Sequence, residues 1–398
     1  EKSTGANRSR NIVVLGFIAG LFNLPAEGFR KAIAKKFRSK AAAAEASEAA
    51  FKAGLDYAAR TFKLDDVSFG PPVSSVVAGA TVEMINGNAA IVRGALDAGI
   101  DTFFGYPITP ATSIMERLAS EMPKRGGRLL QTEDEISAIS AVMGAGFAGA
   151  RAATSTSGPG LSLMAEMLGM GVIGEVPGVV FVSQRGGPST GMPTRTQQAD
   201  LLGAAYSGHG DTKHPMLLPM DPGECFEMGA LAFDLADRLQ TTVFVMLDLD
   251  IGMNHRLCAP LKWDDSRVYD RGRVMTYEEL ESGKDFGRYL DVHGDGIPYR
   301  TYPGTHPTRG SFFTRGSTRD RYARYTEEGG PYVDNVMRLL RKFETAKDIV
   351  PRPLIANAPK PTSRSNNRAS QRPAAIVAII MVATIARRLT PQAREVLK

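Results

Sequence analysis

The stretch AATSTSGPGLSLMAEMLGMGVIGEVPGVVFVS, residues 152–183, decides the fold. It begins with a short strand-like run, Ala152–Thr156, and passes through a glycine turn into an apolar helical segment, Leu161–Gly171. It ends in an uninterrupted apolar run, Gly178–Ser183. Such a run is typical of a strand that is buried on both faces of a sheet. The stretch therefore predicts two parallel strands joined by a crossover helix.

The same alternation continues on both sides of this unit. It predicts further strands at Asp101–Phe104, Arg128–Gln131 and Thr242–Asp248, and helices at Ala89–Ala98, Ala111–Ser120, Asp134–Ala148 and Pro222–Leu235. Strands that alternate with helices across short glycine-containing loops indicate an α/β fold with a doubly wound parallel sheet. In such a sheet, ligands bind in the loops at the carboxyl ends of the strands.

The flanking regions have a different composition. Residues 1–64 are predicted to be helical, with Phe29, Ile33 and Phe37 forming one apolar stripe, and residues 65–85 read as a linker. The doubly wound domain then spans 86–262. Residues 263–350 form an irregular connector or arm that ends in a helix at Tyr332–Phe343, and residues 351–398 form a basic tail. The apolar run Ala374–Ala386 favours a helix that is too short to span a membrane.

Composition and charge exclude several classes of protein. The chain has 398 residues, of which 43% are hydrophobic and 23% are charged, which is ordinary for globular domains. Two cysteines without a CxxC motif exclude a disulfide framework and an iron–sulfur site in this chain, and a reducing, cytoplasmic location is expected. The start, Glu1-Lys2-Ser3, does not read as a signal peptide. The net charge of +6 arises after position 350, where nine basic residues face one acid, so a nucleic-acid-binding groove on the fold is not expected.

Two of the predicted strand ends carry candidate site residues. After Asp101–Phe104, prolines 107 and 110 bracket Thr109 and stiffen its loop. The alternative is a rigid turn in which Thr109 or Thr112 caps the next helix. After Arg128–Gln131, Glu135 opens a helix on the face of Ile139 and Val142, so its carboxylate should point toward the apolar side. A simple preference of acids for the first helical turn explains Glu135 equally well.

The next two strand ends carry a glycine turn and an arginine. Ser157-Gly158-Pro159-Gly160 could form a nest for an anion, although a single glycine turn is weak evidence. Arg185 directly follows the buried strand, and its planar guanidinium suits a carboxylate. The alternative for Arg185 is an internal ion pair with Glu135 or Asp200.

Two other features carry no site. Gly294-Asp295-Gly296 is similar to the start of a diphosphate–magnesium motif, but no paired asparagine follows it, so it is interpreted as a turn. The five histidines lack the spacing of metal ligands, and no metal site is predicted.

Taken together, the four loops resemble the alpha subunit of 2-oxoacid:ferredoxin oxidoreductases, and the 2-oxoglutarate branch most of all. The resemblance covers about residues 85–350 and rests on four motifs: Tyr106-Pro-Ile-Thr-Pro110, Glu133-Asp-Glu135, Thr156-Ser-Gly-Pro-Gly160, and the loop from Gln184 to Thr194. Residues 9–60 resemble the closing helices of the gamma domain that many members fuse ahead of alpha.

The resemblance implies that residues 86–262 form the pyrimidine-type domain of a thiamine-diphosphate site. Glu135 would hydrogen-bond the aminopyrimidine ring nitrogen and favour the tautomer that activates the coenzyme. Ser157 and Gly158 would border the coenzyme. Thr109, Arg185 and Thr194 would contact the 2-oxoacid, with Arg185 on its carboxylate.

The implied reaction is the oxidative decarboxylation of a 2-oxoacid, with 2-oxoglutarate favoured, to an acyl-coenzyme A. A beta subunit would supply the diphosphate and Mg²⁺ half of the site and the iron–sulfur cluster, ferredoxin would accept the electrons, and two alpha–beta units would form a dimer. The alternatives are a subunit for pyruvate or another 2-oxoacid, and a truncated, non-catalytic remnant. Members of the family continue after Lys360-Pro361-Thr362 into a further domain, so the basic sequence found here suggests a shifted reading frame or a truncation.

Overall fold

The computed structural model describes residues 9–61, 81–353 and 377–379. The chain divides into two compact units, Glu1–Ala80 and Thr81–Lys398. The first unit contains three helices, α1 (Arg10–Leu21), α2 (Ala26–Lys36) and α3 (Ala41–Thr61). Ala19, Ile33 and Phe51 form its buried core, and Phe29 and Phe37 pack against that core. The apolar stripe predicted on the second helix is therefore confirmed.

Among the described residues, the second unit contains the other helices and the nine strands. Its strands are β1 (Glu83–Ile85), β2 (Thr102–Gly105), β3 (Arg128–Gln131), β4 (Ala152–Thr156), β5 (Gly178–Gln184), β6 (Met216–Leu218), β7 (Thr242–Asp248), β8 (Arg256–Cys258) and β9 (Val377–Ile379). Its helices are α4 (Gly87–Asp97), α5 (Thr112–Glu121), α6 (Glu135–Phe147), α7 (Gly158–Leu163), α8 (Ala165–Gly174), α9 (Leu201–Ala205), α10 (Pro222–Leu239), α11 (Leu249–Met253), α12 (Tyr277–Glu281) and α13 (Gly329–Ile349).

The main sheet is parallel in the order β3-β2-β4-β5-β7-β6, and β9 joins β6 in the antiparallel sense. Neighbouring residues of its central strands belong to opposite cores. In β5, Val179 and Phe181 face a core that includes helices α4, α5 and α10, whereas Val180 and Val182 face a core that includes α6 and α8. Because side chains alternate along a strand, this assignment places helices on both faces of the sheet. The predicted doubly wound fold is confirmed.

Several short elements differ from the sequence-based expectation. Leu161–Gly171 was predicted as one helix, but α7 and α8 meet there at Met164. Strand β1 lies within the range 65–85 that reads as a linker, and it pairs with β8 in a separate ribbon. The short strand β6 was not predicted.

Most of the predicted tail and linker lies outside the described residues, namely 62–80, 354–376 and 380–398. Within the apolar run 374–386, only β9 is described. It is a strand, so the expected helix is wrong at these positions. Within the described part of the chain, no helix is both long and apolar enough to cross a membrane.

The arm is largely irregular, as predicted, and α13 is anchored to the domain by a buried carboxylate. Glu175 follows α8 and is completely buried. Arg338 donates to its two oxygens at 3.0 and 2.7 Å, and Lys342 Nζ donates to Oε1 at 2.7 Å. Burial disfavours the charged carboxylate, but the cations prevail and lower the pKa of Glu175 to about 2. Separating such a buried pair is costly, so these contacts fix α13 against the sheet domain.

Candidate active site

The carboxyl edge of the sheet has a switch point between β2 and β4. The chain runs from β2 outward to β3 and then returns to the other side of β2 as β4. The loops that follow β2 and β4 therefore lead to helices on opposite faces of the sheet and leave a crevice between them. Residues 106–111 follow β2, and Ser157 opens the turn after β4. Candidate residues from both loops border this crevice.

Glu135 is held at the start of α6. Asp134 precedes the helix, and its Oδ1 accepts a hydrogen bond from the Ser137 amide at 2.7 Å. This cap fixes the first turn and lowers the pKa of Asp134. Only 5% of Glu135 is exposed, so its side chain points inward, as the helix pattern predicts.

The turn after β4 lies directly against Glu135. A Cβ atom at position 160 would stand only 2.6 Å from Glu135 Oε1, and it would also overlap Thr156 Oγ1. Glycine at 160 therefore makes room for the carboxylate between α6 and α7. Ordinary carbon contacts need about 3.5 Å or more, so another residue would push the carboxylate away.

A second carboxyl group lies near the same turn. A Cβ atom at position 158 would stand 2.8 Å from Asp200 Oδ1. Burial raises the pKa of Asp200, and the nearby Arg185 charge opposes that rise. Asp200 Oδ2 and the Ser157 hydroxyl are buried without a hydrogen-bond partner among the described residues. Buried polar atoms are normally satisfied, so these two atoms are available to hydrogen-bond a group bound at this turn.

Arg185 connects two of the predicted loops. Its Nη1 donates to the Thr109 carbonyl at 2.7 Å, while Nε and Nη2 donate to the Thr190 carbonyl at 3.0 and 2.6 Å. In the described part of the chain its hydrogen-bond partners are thus backbone carbonyls. The alternative of an internal ion pair with Glu135 or Asp200 is not observed. Three of the five N–H groups of the guanidinium are engaged, which leaves one on each terminal nitrogen.

Thr109 and Thr194, the two threonines predicted to contact the substrate, have different surroundings. Thr109 is exposed, and it precedes Pro110 in a cis peptide bond. Helix α5 is preceded by Ala111 and has no side-chain cap, so the alternative in which Thr109 or Thr112 caps this helix is wrong. Thr194 is also exposed, and its hydroxyl accepts a hydrogen bond from Arg195 at 3.3 Å.

The structure therefore brings the predicted residues into two adjoining groups. Glu135 joins Thr156 and Gly160, whereas Thr109 joins Arg185. Asp200 lies beside Gly158 and near Arg185, and so it stands between the two groups. In the described part of the chain, the hydrogen bonds of Thr194 are with Arg195 and not with either group.

Sequence reasoning missed two residues near the crevice. Asp200 was considered only as an ion-pair partner, and Asn88 was given no functional role. Asn88 is fully buried and hydrogen-bonds residues 22, 25 and 95 positions away. The only sequence signal for Asn88 was that a polar residue stands in a helix turn of otherwise small and apolar residues.

Two features set aside in the sequence analysis lie within the described residues. Asp295 of the Gly294-Asp295-Gly296 turn is paired with Arg273, and both glycines have positive φ angles. Among the described residues, no group of three or more His, Cys, Asp or Glu side chains is placed to hold a metal ion.

The residues at this edge of the sheet can hydrogen-bond a nitrogen-containing ring. A buried carboxylate, an unpaired buried hydroxyl and two glycines that make room for the Glu135 and Asp200 side chains meet at the carboxyl edge of the sheet. A carboxylate with so little contact to water requires a hydrogen-bond donor, which a protonated ring nitrogen supplies. The residues present therefore fit the pyrimidine half of thiamine diphosphate.

Comparison with known proteins matches the chain to thiamine-diphosphate-binding proteins. Residues 93–344 match the family described as pyruvate flavodoxin/ferredoxin oxidoreductase, thiamine diphosphate-binding, and residues 1–57 match the family described as pyruvate ferredoxin/flavodoxin oxidoreductase. The 2-oxoglutarate synthase subunit KorA of Methanocaldococcus jannaschii is 38% identical over 57% of this chain and 64% of its own length. Subunit alpha of the 2-oxoacid:ferredoxin oxidoreductase 2 of Aeropyrum pernix is 34% identical over 87% of this chain and 55% of its own length.

A solved structure agrees with these matches. The 2-oxoglutarate:ferredoxin oxidoreductase from Magnetococcus marinus, with 2-oxoglutarate, coenzyme A and succinyl-CoA bound, is similar with a TM-score of 0.76 and 30% identity. The alignment covers 90% of this chain and 60% of that one. The present chain thus spans between about half and two thirds of the length of these relatives. It belongs to the thiamine-diphosphate-binding pyruvate flavodoxin/ferredoxin oxidoreductase family.

Proposed function

We propose that the chain is the alpha subunit of a 2-oxoacid:ferredoxin oxidoreductase that converts a 2-oxoacid, preferably 2-oxoglutarate, and coenzyme A to an acyl-CoA and CO₂. The reaction releases two electrons, which pass through an iron–sulfur cluster to ferredoxin. The observation that carries the proposal is the buried Glu135 carboxylate against Gly160, beside the unpaired hydroxyl of Ser157. Its position in the thiamine-diphosphate-binding family domain supports this assignment.

Glu135 is assigned to the aminopyrimidine ring of the coenzyme. Its carboxylate would accept a hydrogen bond from the protonated ring nitrogen, and burial keeps competing water away. Ser157 and Gly158 would border the ring. When bound, thiamine diphosphate supplies the carbon nucleophile and the electron sink for decarboxylation.

Thr109 and Arg185 are assigned to the substrate. The engaged N–H groups of Arg185 hold its guanidinium between two loops, and the two remaining N–H groups can meet a carboxylate. The Thr109 hydroxyl belongs to one of these loops and would donate a hydrogen bond to the 2-oxoacid. Thr194 is kept as a further substrate contact from the same loop region as Thr190.

The rest of the site belongs to a beta subunit in this proposal. That subunit would bind the diphosphate through Mg²⁺ and carry the iron–sulfur cluster, and two alpha–beta units would associate. The free thiols of Cys225 and Cys258 agree with a cytoplasmic location. The N-terminal unit is assigned to the end of a gamma-type domain.

Co-expression with the beta subunit tests this function. The purified complex should reduce ferredoxin when given coenzyme A and a 2-oxoacid, with the highest kcat/KM for 2-oxoglutarate among 2-oxoglutarate, pyruvate, branched-chain and aryl 2-oxoacids. A preference for another acid would change the substrate assignment. A complex that forms and binds the coenzyme but turns over none of the acids would overturn the proposed activity, and failure to form a complex would identify a non-catalytic remnant.

A further inference from the structure

Asn88 occupies a central position beneath the candidate substrate loops. It lies in the first turn of α4 and is completely buried. Its Nδ2 donates to the Pro110 carbonyl at 3.0 Å and to Ser113 Oγ at 2.9 Å. Its Oδ1 accepts from Ser183 Oγ at 3.1 Å. One amide therefore joins α4 to the loop after β2 and to the end of β5.

The capping of α4 does not need this amide. Asn86 precedes the helix, and its side chain accepts a hydrogen bond from the Ala89 amide at 2.9 Å. Helix α11 also packs closely on Asn88, since a Cβ atom at position 252 would stand 2.7 Å from Asn88 Oδ1. This approach, together with the hydrogen bonds, fixes which way the amide faces.

The partners of Asn88 connect it to both proposed substrate residues. Pro110 directly follows Thr109, and Ser183 lies two residues before Arg185. Arg185 in turn donates to the Thr109 carbonyl. Two hydrogen-bonded links thus hold the same loop against the same strand end, one through the buried amide and one through the guanidinium.

We propose that Asn88 is a positioning residue that fixes the position of the loop of Thr109 relative to Arg185. Thr109 and Arg185 can then contact the substrate at the same time. This inference rests on the proposed function. Asn88 itself does not touch the substrate and acts through the Pro110 carbonyl. Preorganised positioning of this kind improves binding because less ordering is required when the substrate arrives.

The test is Asn88→Asp in the full chain, purified with its beta subunit. Aspartate has nearly the same shape and keeps an acceptor for Ser183, but as a carboxylate it lacks the donors to Pro110 and Ser113. Loss of a donor to a buried carbonyl should raise the KM for the 2-oxoacid by about tenfold or more. The dissociation constant of thiamine diphosphate should change less than about threefold, because Glu135 is not linked to Asn88.

Asn86→Ala is the matched control. It removes the helix cap only two residues from Asn88, so it should lower the melting temperature while leaving the KM unchanged. If Asn88→Asp behaves like Asn86→Ala, with lower stability and an unchanged KM, Asn88 has only a structural role and the proposal is overturned.

Hydrogen–deuterium exchange provides a readout that needs no activity. In the full chain without substrate, peptides covering residues 106–113 should exchange faster in Asn88→Asp than in wild type, while those of α6 should not. Equal exchange in the loop contradicts the proposed link. If Asn88→Asp fails to fold, the double variant Ser113→Ala, Ser183→Ala removes the two hydroxyl partners of the amide and should loosen the same peptides.

These measurements separate the two proposals. A wild-type complex that turns over no 2-oxoacid overturns the proposed function, whereas the exchange experiment still decides whether Asn88 holds the loop.

Discussion

Gly160→Ala provides a sharp test of how the Glu135 carboxylate is placed. The new methyl group would stand 2.6 Å from Oε1 of Glu135, so the carboxylate must retreat by about 1 Å to reach ordinary contact. Gly160 lies inside α7 in a backbone conformation that alanine also adopts, so the penalty arises from this contact and from the still closer overlap with Thr156 Oγ1. A hydrogen bond lengthened by about 1 Å is effectively lost.

The expected effect can be estimated from the bond that is lost. Hydrogen bonds to charged groups contribute about 1.5–3 kcal/mol, which corresponds to about 10- to 150-fold weaker binding of thiamine diphosphate. The assay is calorimetric titration of the alpha–beta complex with thiamine diphosphate. The matched control is Gly144→Ala, which lies in the helix that begins with Glu135 and where a Cβ atom meets nothing within 4 Å.

Wild-type coenzyme affinity in Gly160→Ala would refute the reasoning, because it would mean that the carboxylate does not need its present position. The melting temperature of the coenzyme-free complex should be measured in parallel. If Gly144→Ala weakened binding equally, the effect would not be specific to the space around Glu135.

Three further predictions concern catalysis, substrate binding and stability. Glu135→Ala should reduce kcat by about 10²–10⁴-fold while the complex still assembles; near-wild-type turnover would remove Glu135 from the mechanism. Arg185→Lys should raise the KM for the 2-oxoacid by about tenfold or more with little change in coenzyme affinity, because an ammonium cannot bridge two loops and a carboxylate; an unchanged KM would leave Arg185 with a structural role alone. Burial lowers the pKa of His214 to about 4, so the unfolded chain binds a proton between pH 6.5 and 4 that the folded chain does not. Stability should therefore fall as the pH is lowered through this window, by about 2 kcal/mol between pH 7 and pH 5; in urea titrations His214→Gln should lose that part of the pH dependence, and an unchanged slope would contradict it.

The fold could be predicted because its decisive strands carry a local signal. An apolar run such as Gly178–Ser183 has the composition of a strand that is covered on both faces, and glycine turns mark where each strand ends. The inward direction of Glu135 could be predicted for a similar reason, since helix geometry places it on the face of Ile139 and Val142. These features depend on neighbours within a few positions.

Other features could not be predicted because they depend on distant partners. The amide of Asn88 finds acceptors and donors far along the chain, and nothing in its local sequence indicates them. The engagement of Arg185 with two backbone carbonyls is likewise a tertiary feature, whereas its residue type alone suggested a carboxylate partner. Strand β6 is three residues long and follows irregular chain, so its local pattern is too short to distinguish it from a loop.

The central claim is that the Glu135 carboxylate meets the pyrimidine ring of thiamine diphosphate. The most direct measurement is an experimental structure of the alpha–beta complex with the coenzyme bound. We expect about 2.7–2.9 Å between a carboxylate oxygen of Glu135 and a ring nitrogen, as in a charge-assisted hydrogen bond. A carboxylate turned toward bulk water, or a coenzyme bound elsewhere in the complex, would contradict it.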